Sequence, residues 1–117
     1  MQVTIYHNPR CGKSRDTLAL LEARGIRPDV VEYLKTPPDA VRLAQLLDLL
    51  GLTPRELMRR KEAEYALLGL DDPALTRDEL IAAMVATPRL IERPIVVVDD
   101  QRAVLGRPPE AILSLFV

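Results

Sequence analysis

The sequence predicts an α/β fold, with a mixed four-stranded sheet, flanking helices and a helical insertion in the middle. Three observations point to it. The chain opens as strand, helix, strand. Helical segments marked off by Pro and Gly fill its centre. A strongly β-branched strand, a tight polar turn and a returning strand then precede a last helix.

Residues 2–6 alternate polar and apolar side chains and run into His7-Asn8-Pro9, which reads as a short strand entering a loop. Residues 14–24 read as a helix with Leu18 and Leu21 on one face, closed by Gly25. Residues 29–33 (Asp-Val-Val-Glu-Tyr) form the second strand, so the opening predicts a parallel pair joined by a crossover helix. After Thr36-Pro37-Pro38-Asp39 an apolar-rich helix extends to Leu50 and stops at Gly51. Thr53-Pro54-Arg55-Glu56 is a capping box with Pro at the first helical position, and Thr76-Arg77-Asp78-Glu79 repeats the capping pattern ahead of a helix to about Val85. Ile95-Val96-Val97-Val98 is the β-branched strand, Asp99-Asp100-Gln101 the turn and residues 102–105 the return. A helix after Pro108-Pro109 ends the chain. This is the element order of a thioredoxin-like fold with helices inserted at its centre, expected as one domain over residues 1–117.

The composition supports a packed core: 48% of the 117 residues are hydrophobic and 28% charged. Aromatic residues make up only 3%, so Leu, Val, Ile and Ala must build it. A net charge of −1 argues against a nucleic-acid or membrane-surface binder, which needs a basic excess. It does not exclude a local basic pocket, since 13 of the 16 basic residues are Arg. No apolar run spans a bilayer, and the alternating first six residues do not form a signal peptide, so the expected compartment is the cytoplasm. One Cys cannot form an internal disulfide, which fits a reducing compartment. One His and one Cys are too few for a zinc site.

A lone cysteine is usually core filler, but Cys11 has informative neighbours. It falls between the end of the first strand and the first turn of a helix, within the stretch from His7 to Arg15. Strand ends of a parallel pair are where ligands bind, and the N–H groups at a helix start favour an anion. Both favour thiolate over thiol, and the thiolate is the nucleophile. The flanking cations Arg10, Lys13 and Arg15 push the same way. His7 assists if it is protonated or donates a hydrogen bond, and the Ser14 hydroxyl is placed to donate to the sulfur from one turn on. Gly12-Lys13-Ser14 resembles the tail of a phosphate-binding loop, but His7 stands where that motif needs Gly. A Cys-x5-Arg phosphatase loop fails as well, with Thr17 at the Arg position. Pro94 opens the β-branched strand, which lies beside the first strand in a thioredoxin arrangement. Residues at its start can therefore face Cys11. A cis Arg93–Pro94 bond is compatible with that position, although trans is the usual choice. Arg93 in this cluster, Arg59 and Arg60 past the Thr53 cap, and Arg107 before Pro108-Pro109 each read singly as a solvated surface charge, yet bidentate guanidinium binding is what a tetrahedral oxyanion needs.

These residues resemble the arsenate reductase (ArsC) family that couples to glutathione and glutaredoxin. The resemblance rests on His7-Asn8-Pro9-x-Cys11-Gly12-x-Ser14-Arg15 with Thr17-Leu18. It extends through Tyr33-Leu34, Pro37-Pro38, Arg55, Arg59, Leu68-Gly69-Leu70, residues 93–97 and Arg107-Pro108. Lys13 and the segment 55–59 look closer to the YfgD-like branch, where the substrate is less defined. The resemblance implies Cys11 as the catalytic thiolate, activated by His7, Ser14 and Arg15, with arsenate bound by Arg59, Arg93 and Arg107. It implies glutathione as co-substrate, glutaredoxin as partner, no bound cofactor, no metal and a monomer. Another glutathione-linked thiol oxidoreductase is the alternative enzyme. A non-catalytic, partner-binding regulator of the Spx-like kind is a further alternative; such regulators share the fold but characteristically carry Cys-x-x-Cys, and here Ser14 stands at the second Cys.

Overall fold

Alternation and β-branching build the sheet as expected. The computed structural model describes residues 1–117, in which β1 (Val3–His7), β2 (Asp29–Glu32), β3 (Ile95–Val98) and β4 (Arg102–Leu105) form one sheet of order β2-β1-β3-β4. β1 pairs parallel with β2 and antiparallel with β3, and β3 pairs antiparallel with β4. The sheet is mixed and four-stranded, the thioredoxin-like arrangement. β1 runs one residue further than the alternation predicts, taking in His7. The turn between β3 and β4 puts Asp99 and Asp100 in the left-handed region at φ 54° and 52°. Asp tolerates this conformation better than most residues.

The chain forms two compact units, one of Met1–Thr36 with Arg93–Val117, the other of Pro37–Glu92. In the sheet unit, α1 (Gly12–Ala23) connects β1 to β2 and ends at Arg24, with Gly25 at φ 75° completing the stop. Val3, Ile5, Val96 and Val98 from one sheet face form a core with Leu21 of α1 and with Ile112 and Leu115. A twelve-residue helix is marginal alone. Burial of a side chain such as Leu21, worth roughly 1.5–3 kcal/mol, is what holds it in place. The terminal segment corrects one expectation, because Pro109–Phe116 is a 3₁₀ helix rather than an α-helix. Ile112 and Leu115 are both buried and three residues apart, so a three-residue turn brings them onto one face.

The second unit is helical. Asp39 caps α2 (Ala40–Leu50) by accepting from the Arg42 amide at 2.8 Å, and Gly51 closes it at φ 68°. Thr53 opens α3 (Pro54–Leu57) and Thr76 opens α5 (Arg77–Ala86), each through a complete capping box. Between them lies α4 (Ala63–Leu67), and a 3₁₀ turn at Pro88–Leu90 follows α5. Leu43, Leu46, Leu47, Leu57, Leu80 and Met84 are buried here. Arg55 braces α3 by donating to the Leu70 and Asp72 carbonyls at 3.0 and 2.6 Å. No helix is long and apolar enough to cross a membrane.

The capping boxes give a stability prediction. At α5 the Thr76 hydroxyl accepts from the Glu79 amide at 3.2 Å, and Glu79 Oε1 accepts from the Thr76 amide at 3.1 Å. Thr76→Ala should cost about 1 kcal/mol in urea denaturation, and Thr76→Ser should restore most of it. Equal midpoints for the Ala variant and the parent would contradict the capping role.

Candidate active site

Cys11 occupies the N-cap position of α1, with extended backbone at φ −94° and ψ 123°. The loop before it is held by its own polar groups. The Cys11 amide donates to the Asn8 carbonyl at 3.0 Å, the Arg10 amide to Asn8 Oδ1 at 3.0 Å, and Arg15 Nη1 to the Pro9 carbonyl at 3.0 Å. The sulfur is half-buried, and Cys11 is the chain's one free cysteine.

Burial acts on the thiol most strongly and opposes its ionisation. The Ser14 amide, the charge of Arg93, the Lys13 amide and a hydrogen bond from Arg93 act the other way, and together they win: the Cys11 pKa lies below the ordinary thiol value. The two amides, at the open start of α1, are oriented to favour the charged sulfur. Arg93 reaches this position because β3 lies beside β1, with Ile95 opposite Tyr6. Arg107 joins it from the end of β4, its Nη1 donating to the Arg93 carbonyl at 3.4 Å. Both Arg93–Pro94 and Arg107–Pro108 are cis, the second of which the sequence did not suggest.

A half-buried sulfur flanked by helix amides and the Arg93 guanidinium, with Arg107 resting on the Arg93 carbonyl, is an anion site with a nucleophile in it. Residues 6–115 match the ArsC family.

The chain belongs to that family.

It is 55% identical to the uncharacterised protein YfgD of Escherichia coli, over 97% of this chain and 96% of that one. It is 50% identical to an arsenate reductase of Neisseria meningitidis over 98% of each chain. The solved structure of an arsenate reductase from Vibrio cholerae superposes with a TM-score of 0.94, at 53% identity and 97% coverage of both chains.

Within this ArsC-family site, two expected contacts take another form. The Ser14 hydroxyl does not serve the sulfur. It is buried, accepts from the Asn8 amide at 3.0 Å and lies 2.6 Å from His7 Nδ1. The two groups share one hydrogen bond, whose donor is set by the imidazole tautomer. Ser14 meets Cys11 through its backbone instead. His7 is not a cation beside the thiol either. It is 6% exposed, and burial lowers its pKa, partly offset by Glu32 and reinforced by Arg15. A neutral His7 therefore organises the loop through Ser14. Arg15 is exposed, tied to Pro9, and its charge bears on His7. Lys13 acts on the sulfur through its amide.

The structure brings Arg93 and Arg107 together. Arg59 belongs to the helical unit, where it pairs with Glu62 at 2.8 Å and Glu92 at 3.8 Å. Its amide donates to the Leu90 carbonyl at 2.7 Å beside a Met58–Ile91 bridge. No group of three or more His, Cys, Asp or Glu residues is placed to hold a metal ion.

The site predicts a pH dependence with a definite sign. A lowered pKa means that the thiolate persists to lower pH than in a free thiol, so alkylation at neutral pH should be faster than that of a free thiol. Arg93→Gln removes the cation and its hydrogen bond, and should move the rise in iodoacetamide rate to higher pH. An unchanged profile would show that Arg93 does not stabilise the thiolate.

Proposed function

We propose that the chain reduces arsenate to arsenite, with Cys11 as nucleophile and glutathione and glutaredoxin as electron donors. One observation supports this above the others: the only cysteine, half-buried at a helix start, faces a cation suited to an oxyanion. Relatives described as arsenate reductases, 50% and 53% identical over nearly the whole chain, support the choice of substrate.

Arg93 and Arg107 would bind the arsenate oxygens and spread their charge. Cys11 thiolate attacks arsenic, an As–O bond breaks, and the oxygen leaves as water. Reduction of As(V) to As(III) needs two electrons, and a chain with one cysteine cannot close an internal disulfide. Two outside thiols therefore take part. Glutathione sulfur displaces a second oxygen from arsenic. Glutaredoxin thiolate then attacks that glutathione sulfur, forming a mixed disulfide while the S–As electron pair returns to arsenic. Water cleaves the remaining Cys11–As bond, releasing arsenite and the thiol. Glutathione is thus a co-substrate and no bound cofactor is needed. A cysteine that works as a free thiol suits a reducing compartment such as the cytoplasm, and the cycle calls only for a monomer.

The test is arsenate-dependent oxidation of glutathione in the presence of glutaredoxin and glutathione reductase, followed through NADPH. The wild-type chain should turn over, and Cys11→Ser should show only the background rate. Wild-type turnover no higher than that of Cys11→Ser would remove arsenate reduction as the function.

A further inference from the structure

Thr17 and Gly106 touch none of the proposed reactants, yet they meet where the two halves of the Cys11 centre join. A Cβ on Gly106 would lie 2.5 Å from Thr17 Oγ1, 2.8 Å from Pro94 Cγ and 3.0 Å from Thr17 Cγ2. Its backbone does not need glycine's left-handed freedom; the constraint is space. Gly106 and Thr17 are both buried, Thr17 completely.

Their hydrogen bonds lead into the site from both sides. The Thr17 hydroxyl donates to the Lys13 carbonyl at 2.8 Å and lies 3.5 Å from the Gly106 carbonyl. The Gly106 amide donates to the Pro94 carbonyl at 2.9 Å. Lys13 belongs to the amide turn that faces the sulfur. Pro94 follows Arg93, and Gly106 precedes Arg107, which rests on the Arg93 carbonyl. One side of the contact is the helix start that carries the amides. The other is the pair of strand ends that carries the guanidinium groups.

We propose that Thr17 and Gly106 are positioning residues, whose contact seats the Arg93 and Arg107 strand ends against the first turn of α1. That contact fixes the spacing between the Cys11 sulfur and the Arg93 guanidinium. Ordinary carbon contacts need about 3.5–4 Å, so a methyl at position 106 must push the strand ends or the helix turn away. Coulomb attraction falls with distance and hydrogen bonds fail with misalignment, so the displacement should be read at the sulfur.

The experiment measures iodoacetamide alkylation against pH, with thermal melting in parallel, for the parent, Gly106→Ala, Thr17→Val and Thr17→Ser. Cys11 is the only cysteine, so the signal reports one thiol. Gly106→Ala and Thr17→Val should shift the profile to higher pH and slow alkylation at neutral pH about threefold or more, because less thiolate is present. Thr17→Ser keeps the hydroxyl and should keep the parental profile. Lower melting temperatures for Gly106→Ala and Thr17→Val with unmoved profiles would mean that the contact is merely structural, and would overturn the proposal. Should Gly106→Ala fail to fold, Thr17→Val against Thr17→Ser decides alone, and a Val profile equal to the parent's overturns it. Alkylation uses no arsenate, so this result stands apart from the outcome of the turnover test.

Discussion

The antiparallel pairing of β1 with β3 is the constraint on which the site depends. With Tyr6 opposite Ile95, the end of β1 lies next to the start of β3. The loop after β1 delivers Cys11 to the first turn of α1, and the residue before Pro94 supplies the facing cation. The β-branched run from Ile95 to Val98 is buried on both faces, and a one-residue slip would carry every side chain to the opposite face and break its close packing. The same pairing carries β4 on its far side, and β4 brings Arg107 to the Arg93 carbonyl. Packing in the sheet thus becomes charge placement at the sulfur.

The charge balance at Cys11 follows from that placement. Burial alone would keep the thiol protonated and inert. The peptide groups of Lys13 and Ser14 and the guanidinium of Arg93 reverse the outcome, and they are fixed by the fold rather than recruited by a ligand. Side chains closer in sequence contribute less directly. Ser14 spends its hydroxyl on His7 and Asn8, and that small network shapes the loop that presents the sulfur.

Much of this was legible in the residues. Thr53 and Thr76 announce their helices because a capping box is a local structure that needs only four residues. Ile95 to Val98 announces a buried strand because three of its four residues are Val. Cys11 stood out because a strand-to-helix turn is an electrostatic environment as well as a shape. Short elements escaped: α4 has five residues and no side-chain cap, so neither periodicity nor punctuation marks it. The 3₁₀ form of the last helix escaped because apolar residues three apart suit either helix type. The Ser14 hydroxyl was misassigned because spacing along a helix does not disclose a competing partner, and His7 is seven residues away. Arg93 and Arg107 meet through the sheet, across 14 residues of chain, and Gly106 matters through a contact with Thr17 that is 89 residues distant. Such contacts leave no mark on local pattern.

An activated Cys11 thiolate is the claim from which the chemistry follows. Ultraviolet absorbance of the thiolate can be titrated directly against pH in the wild-type chain, with Cys11→Ser as the blank. The arrangement of amides and Arg93 around the sulfur predicts a midpoint below the free-thiol value of about 8.5. A midpoint at or above that value would mean that burial prevails, and Cys11 would then be an ordinary packed cysteine.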